Sequence, residues 1–210
     1  MTKKDSEYLI ALEESIKVNS NIYTFKDLQG FPFESIAHVK EAVSKKEITL
    51  GTWRQDFEDI YTYGKPSDRP AFNLAIFLFF AIPIGLTIYS IITKEWIYLA
   101  GIPLALSGIF FSNPSCQFKG IIGFALLVFI LSFFFLELKY RILIGAFVGG
   151  TYFVQVARDQ TMDAMVNFAK ESEILFIYLF VTRELLVIKD NKANKFLRPE
   201  EFIQSADKNK

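Results

Sequence analysis

The chain contains only one cysteine and one histidine in 210 residues, and this scarcity limits the chemistry open to it. Cys116 excludes an intramolecular disulfide and a thiolate cage for zinc, and His38 excludes a multi-histidine metal site. No P-loop, GxGxxG or HExxH motif occurs. The Glu34 and His38 pair is more typical of an exposed helix than of acid–base catalysis. We therefore expect no metal, no cofactor and no catalytic residue, and predict that the protein is not an enzyme.

Charged residues are scarce in the middle of the chain. Only six occur among the 87 residues from 71 to 157, each at a break between apolar runs: Lys94, Glu95, Lys119, Glu137, Lys139 and Arg141. A bilayer core of about 30 Å needs roughly 20 apolar residues per helix, and backbone groups inside it must be paired internally. Residues 1–70 have a small acidic excess, which argues against nucleic-acid binding. The pattern predicts an integral membrane protein.

The apolar runs predict an all-α membrane domain of four transmembrane helices, arranged as two antiparallel hairpins. The spans are 71–92, 96–112, 118–138 and 142–157. Trp96, Tyr98, Tyr140 and Tyr152 lie near their ends, as in the aromatic belts of membrane proteins. Lys and Arg are more frequent at the ends facing the termini, which predicts a plasma membrane or bacterial inner membrane protein with both termini in the cytoplasm.

The N-terminal part, residues 1–63, predicts a cytoplasmic helical segment of three short helices. Apolar stripes place the first at about Asp5 to Val18 and start the second at Phe31, while a capping-box pattern starts the third at Thr52. Gly64 to Pro70 is a linker, because its prolines and glycine interrupt a helix. The polar start predicts that internal helices, rather than a cleaved signal peptide, drive insertion. So small a segment needs support from the membrane domain or a partner.

The C-terminal part, residues 158–204, predicts a small cytoplasmic segment of mixed α/β structure. Residues 174–188 fit two alternatives equally: two strands joined at Thr182–Glu184, or one helix with an apolar stripe. A turn at Asp190–Asn194 and a short helix from Arg198 follow. Residues 205–210 are expected to be a disordered tail.

Small residues and prolines within the spans predict how the helices pack. The candidates for close helix packing are Gly145, Gly149, Gly150, Ala81, Gly85, Gly101 and Ala105. In lipid, small residues let helices approach closely, and we favour packing within the domain over association with another chain. Pro83 and Pro103 are candidate kinks, although proline is commonly tolerated in membrane helices.

The absence of ionisable groups within the spans argues against ion transport, which normally requires them. We predict a protein that acts by protein–protein binding, as a subunit, regulator or immunity-type factor of a membrane-associated system. Its expected partners are the lipid bilayer and another protein or a second copy, with Trp53, Phe57 and Ile60 as candidate docking residues. A small homo-oligomeric channel gated by the cytoplasmic segments is the alternative. A lipid-modifying enzyme is third, because its acidic candidates Glu95 and Glu137 are isolated.

Overall fold

The computed structural model of the chain describes residues 1–20, 24–52, 56–111, 127–132, 134–190 and 195–203. Helices dominate, accompanied by one three-stranded sheet. The helices are α1 (Lys3–Asn19), α2 (Ile36–Ser44), α3 (Asp59–Tyr63), α4 (Arg69–Thr93), α5 (Gly101–Phe111), α6 (Leu138–Ala169) and α7 (Glu173–Val181). The strands are β1 (Thr49–Thr52), β2 (Leu185–Asp190) and β3 (Lys195–Leu197). Single 3-10 turns lie at Phe25–Asp27, Pro66–Asp68, Trp96–Ala100 and Pro199–Glu201, and residues 127–132 and 134–135 are also helical.

The chain divides into two compact units. The terminal unit comprises Met1–Arg69 together with Thr161–Lys210, and the central unit comprises Pro70–Gln160. The N-terminal and C-terminal parts of the sequence therefore fold together. Helix α6 supplies its first residues to the central unit and its last nine to the terminal unit.

The sheet of the terminal unit joins the two ends of the chain. β1 pairs with β2 in antiparallel fashion, from Thr49 opposite Ile188 to Thr52 opposite Leu185, and β3 pairs with the other edge of β2. The capping-box prediction at Thr52 is wrong, because Thr52 ends a strand and the next described helix, α3, begins at Asp59. The local sequence resembles a helix start, but the hydrogen-bonding partner of this strand lies near the other end of the chain.

Helix α7 is the centre of the terminal core. Leu175, Phe176, Ile177, Leu179 and Phe180 are all completely buried. A helix that is apolar on every face is stable only when surrounded, and α7 packs against α1 and β2. Neither alternative for 174–188 is correct by itself: the first half is helical and the second half is a strand.

Local capping explains where α7 begins and ends. The hydroxyl of Ser172 accepts a hydrogen bond from the backbone N–H of Leu175 at 3.2 Å, which caps the first turn. After the helix, Arg183 adopts a left-handed conformation, with φ of 64°. The N–H groups of Arg183 and Glu184 then donate to the carbonyls of Phe180 and Leu179, a Schellman ending. The chain can therefore reverse and enter β2.

Helices α1 and α2 follow the predicted apolar stripes. The capping box of α1 pairs Thr2 with Asp5, and the helix runs to Asn19, close to the predicted limits. Helix α2 begins at Ile36 rather than at Phe31, because the Ser35 hydroxyl caps it by accepting from the N–H of His38 at 3.3 Å. Phe31 is instead buried in the core.

The central unit has a much smaller core. Its buried cluster consists of Leu86, Ala105 and Ala146, with Ile82, Ile102 and Ile142 packed around it. Helix α4 covers the predicted first span, and α6 includes the fourth but continues beyond Ala157 to Ala169. The second apolar run forms only a 3-10 turn followed by α5. Most of the predicted third span, as well as the tail at 205–210 and most of the turn at 190–194, lies outside the described residues.

Candidate functional site

The central unit exposes large apolar side chains. Among the described residues, 21 of the 25 large hydrophobic side chains classed as exposed belong to this unit. On α4 they include Leu74, Phe77, Ile84, Ile88 and Ile91. A soluble protein rarely leaves so many large apolar side chains of one unit in water. The surface is suited to contact with lipid or with another apolar surface.

Two helices are long and apolar enough to cross a membrane: the helical stretch Pro66–Thr93, which contains α4, and α6. Less than a third of the most apolar stretch of each is buried, whereas the central helix of a soluble protein is mostly buried. The apolar helix over Trp96–Ile109 is shorter. The two long apolar helices favour association of the protein with a membrane.

Helices α5 and α6 approach each other closely. Among the described glycines of the central unit, those at this contact lie nearest to the backbone of another helix. A Cβ atom placed on Gly150 would lie 2.8 Å from the Cα of Ala105, and one on Gly108 would lie 2.6 Å from the backbone N of Thr151. Neither position has room for a methyl group, because the obstructing atoms are backbone. The structure thus brings the candidates Gly150 and Ala105 together. Gly108 was not among the candidates, although it follows Gly101 by two helical turns and shares its helical face.

The other small-residue candidates have different surroundings. A Cβ on Gly101 would lie 2.8 Å from Leu86 Cδ1, while Gly145 would meet the ring of Phe129 at 3.1 Å and Gly149 would meet Ile82 Cδ1 at 3.0 Å. These obstructions are ends of side chains, which can shift. No atom lies within 4 Å of a Cβ on Gly85, and Ala81 is half-buried, so close packing is not observed at Gly85.

The two candidate kink residues differ in position. Pro83 lies inside α4, and its carbonyl accepts a hydrogen bond from the hydroxyl of Thr87 at 2.9 Å. Pro103 lies in the first turn of α5, directly after the 3-10 turn Trp96–Ala100. First-turn N–H groups have no partner within a helix, so proline is tolerated there and need not kink the helix.

The two described docking candidates, Phe57 and Ile60, do not form an exposed surface. Ile60 is completely buried, so it is unavailable to a partner in this structure, and Phe57 is half-buried. Trp53 lies outside the described residues, as does Cys116. His38 is exposed, and its ring packs edge-on against Phe33 with centroids 5.4 Å apart.

A groove of about 940 Å³ lies on the terminal unit beside β3. Leu186, Phe196 and Leu197 provide its apolar part. The lining also includes five charged residues: Arg183, Glu184, Arg198, Glu200 and Glu201. Arg183 and Glu200 form an ion pair. A groove lined by both apolar and charged residues is typical of a site that binds protein or peptide.

A second pocket, of about 700 Å³, lies in the central unit. It is formed by the end of α4, the 3-10 turn that follows and the start of α6. Tyr89, Trp96 and Tyr98 contribute rings, and Glu95, Glu137 and Lys139 contribute charges. The acidic candidates Glu95 and Glu137, isolated in the sequence, therefore line one pocket.

Polar contacts also link parts of the terminal unit that are far apart in sequence. The Asp5 carboxylate is buried and accepts hydrogen bonds from the backbone N–H groups of Thr2 and Ser67, at 3.0 and 3.1 Å. Burial alone would raise the pKa of Asp5, but these hydrogen bonds outweigh burial and lower it. Likewise, burial opposes ionisation of Glu171, yet the ammonium groups of Lys40 and Lys65 lower its pKa.

No group of three or more His, Cys, Asp and Glu side chains that could hold a metal ion occurs in the part of the chain that the structure describes. Comparison of the chain with protein-family models, with curated proteins and with solved structures gave no match. The function must therefore be argued from the geometry of the two units.

Proposed function

We propose that the chain is a non-enzymatic, multi-pass membrane protein that acts by binding another protein. In this proposal the central unit is embedded in a plasma membrane or bacterial inner membrane. The terminal unit lies in the cytoplasm and carries the binding groove beside β3. The single observation behind the proposal is that one unit exposes most of the apolar surface while both chain ends share a separate, well-packed core.

The shared core constrains the topology. β1 precedes the candidate spans and β2 follows them, yet the two strands are hydrogen-bonded to each other. Strands on opposite sides of a bilayer cannot pair, so the proposal puts both ends of the chain on the same side. The proposed number of crossings is then even, and both four spans and two spans meet this condition.

Helix length separates these two possibilities. The 25 residues of α4 extend about 37 Å at 1.5 Å per residue, and the first 20 residues of α6 extend about 30 Å, so each can cross the bilayer core of about 30 Å. The 11 residues of α5 extend only about 16 Å. A second crossing would therefore need residues on both sides of α5, including the 3-10 turn before it. We propose four crossings, because two further apolar runs occupy residues 96–138.

The native cysteine can test the number of crossings. With four spans, Cys116 lies between the second and third spans, on the side of the termini; with two spans, it lies on the opposite side. We expect a membrane-impermeant maleimide to label Cys116 in sealed proteoliposomes from the same side as a cysteine introduced at Lys4 in a Cys116→Ser background. If Cys116 and the cysteine of Lys4→Cys are labelled from opposite sides, the chain crosses the membrane twice instead of four times. If the cysteines of Lys4→Cys and Lys189→Cys are labelled from opposite sides, the proposed topology is overturned.

The groove accounts for the proposed binding function. Its apolar residues Phe196 and Leu197 lie on the edge strand β3. Edge strands can pair with an added peptide strand, and the mixed charges around the groove can select its side chains. An extended peptide from a partner protein is therefore the proposed occupant.

Site-specific crosslinking can test this function in the intact protein. A photoreactive residue in place of Leu197 should give a discrete adduct with one partner, whereas the same residue at exposed Ile10 on α1 should not. The purified protein should also leave liposomes sealed. Dye leakage together with a homo-oligomeric adduct would instead favour the channel alternative.

A further inference from the structure

The pocket of the central unit combines aromatic rings with an excess of negative charge. Its charged lining residues are Glu95, Glu137 and Lys139, which together give a formal charge of −1. Tyr89 is 37% exposed and Trp96 is 72% exposed, so both residues are accessible to a ligand. Carboxylates next to aromatic rings attract organic ammonium groups, through both charge and the cation–π interaction.

The buried Tyr98 positions this pocket. Its ring packs edge-on against Tyr89 with centroids 4.8 Å apart. The hydroxyl of Ser90 donates to the backbone carbonyl of Glu95 at 3.0 Å. This bond fixes the backbone of Glu95 next to the aromatic rings, and a residue held in place needs less reorganisation when it meets a ligand.

Lys139 provides the complementary charge. Its ammonium lies 2.7 Å from a carboxylate oxygen of Glu137 and 5.2 Å from the centre of the Tyr140 ring. Lys139 and Glu95 line the same pocket. The pocket therefore offers a cation beside two carboxylates, which matches a ligand that carries a phosphate next to an ammonium.

The position of the pocket favours a lipid as the source of that ligand. It lies where α4 ends, at Thr93, and where α6 begins, at Leu138. These are ends of the two helices long enough to cross a membrane, and such ends lie at headgroup depth.

We propose that this pocket binds the phosphate-linked ammonium headgroup of a zwitterionic phospholipid, such as phosphatidylethanolamine. Trp96 and Tyr89 contact the ammonium group, Glu95 and Glu137 balance its charge, and Lys139 contacts the phosphate. The inference rests on the proposed membrane function, because the headgroup can reach the pocket only if the helices are embedded. The same headgroup chemistry occurs in water-soluble phosphoethanolamine, and the experiment distinguishes the two sources.

Tryptophan fluorescence can detect the bound lipid, because the chain has only two tryptophans, Trp53 and Trp96. In a Trp53→Phe background, Trp96 is the single reporter. We expect phosphatidylethanolamine with brominated acyl chains to quench it with about three-fold higher apparent affinity than brominated phosphatidylglycerol in mixed bilayers. Glu95→Gln should abolish this preference, since it removes the charge with little change in the size of the side chain.

Glu14→Gln is the matched control, because it removes the same charge from an exposed position on α1. It should retain the preference for phosphatidylethanolamine. Equal quenching by both lipids in the unmodified pocket, or a preference that survives Glu95→Gln, would overturn the site.

Two further measurements separate a lipid ligand from a soluble one, and a failure of this site from a failure of the proposed membrane function. If soluble phosphoethanolamine reverses the lipid-specific quenching at millimolar concentration, the same pocket also takes an aqueous ligand; if it does not, the source is the bilayer. Flotation of the protein with the vesicles is measured in parallel. Loss of flotation would contradict the proposed membrane function, whereas flotation without headgroup preference would contradict this inference alone.

Discussion

The Glu173 carboxylate accepts a hydrogen bond from the backbone N–H of Phe25 at 2.9 Å, although the two residues are 148 positions apart. Every apolar run of the central unit lies between them in the sequence. Near this contact, the ring of Phe25 packs on Phe176, with centroids 5.7 Å apart. The start of the chain is therefore anchored to α7 by both polar and apolar contacts.

Shortening a central side chain of α7 should release the N-terminal part of the terminal unit. Phe180 is completely buried, and we expect Phe180→Ala to lower the free energy of unfolding by about 3–5 kcal/mol. Limited proteolysis should then cleave residues 1–69 much faster, while the protein remains in the membrane fraction. Val18→Ala, at a position that is 85% exposed, is the control and should leave the cleavage rate unchanged. Equal cleavage of the two variants would contradict the shared core.

A methyl group at Gly150 should separate α5 from α6. Because the obstructing atoms of Ala105 are backbone, we expect Gly150→Ala to destabilise the protein by about 2 kcal/mol. Gly85→Ala is the matched control: its methyl group would meet no atom within 4 Å, and alanine favours a helix by up to about 1 kcal/mol. Thermal unfolding of both variants in the same detergent measures the difference. A Gly150→Ala protein as stable as Gly85→Ala would show that this contact does not hold the helices together.

Acid should weaken the start of α1 through Asp5. The pKa of Asp5 is lowered in the folded protein, from a usual value of 3.8. The resulting stability is present above about pH 4 and is lost as pH falls through the lowered pKa. We expect Asp5→Asn to cost about 1 kcal/mol at pH 7, as for other helix-capping residues, and to reduce the loss of stability below pH 4. Denaturant unfolding of both proteins from pH 2 to 7 tests this, and parallel curves would contradict it.

Tyr63 should titrate at unusually high pH. Its pKa is raised from 10.0 to about 12, mainly by burial and also by the neighbouring Tyr178 and Glu184. Because the folded state favours the neutral phenol, this contribution to stability is present below pH 10 and disappears as pH rises through about 12. In an ultraviolet titration, Tyr63→Phe should remove the component with the highest pKa. Persistence of that component in the variant would assign it to another tyrosine.

The longest apolar elements were the easiest to predict from the sequence. The predicted span 71–92 agrees closely with α4 at both ends, because a long apolar run without charges leaves little choice of structure. The helix that contains the predicted span 142–157 is longer than the span, since it runs from Leu138 to Ala169. It continues because Met165 and Phe168, which follow charged residues, are completely buried in the terminal core.

The terminal unit was much harder to predict, because its structure depends on contacts distant in sequence. Thr52 precedes a helical pattern, but its pairing with β2 keeps it in a strand. The β-branched and aromatic residues of α7 form a helix because other elements surround it. The pairing of the two chain ends has no local signal. The segment at the start of the chain is too small to be stable alone, which predicts that another element supports it. The segment at the other end of the same chain packs with it in one unit.

The candidate sites were predicted only in part. The small-residue spacing identified Gly150 and Ala105 but not which residues faced each other, since that depends on the register between two helices. Glu95 and Glu137 are isolated acids in the sequence. Their common pocket could not be inferred, because they are far apart in the sequence and no local pattern links them.

The pairing of β1 with β2 also sets an order of events during synthesis. Thr49 leaves the ribosome long before its partner Ile188, because the whole central unit is translated between them. At about 5–20 residues per second, β1 waits about 7–30 s, during which the apolar helices emerge. The strand β1 in the N-terminal part of the terminal unit, Met1–Arg69, therefore stays without its partner until β2 has been synthesised. Any chain that stops before Leu185 would leave this part without its strand partner and exposed to degradation.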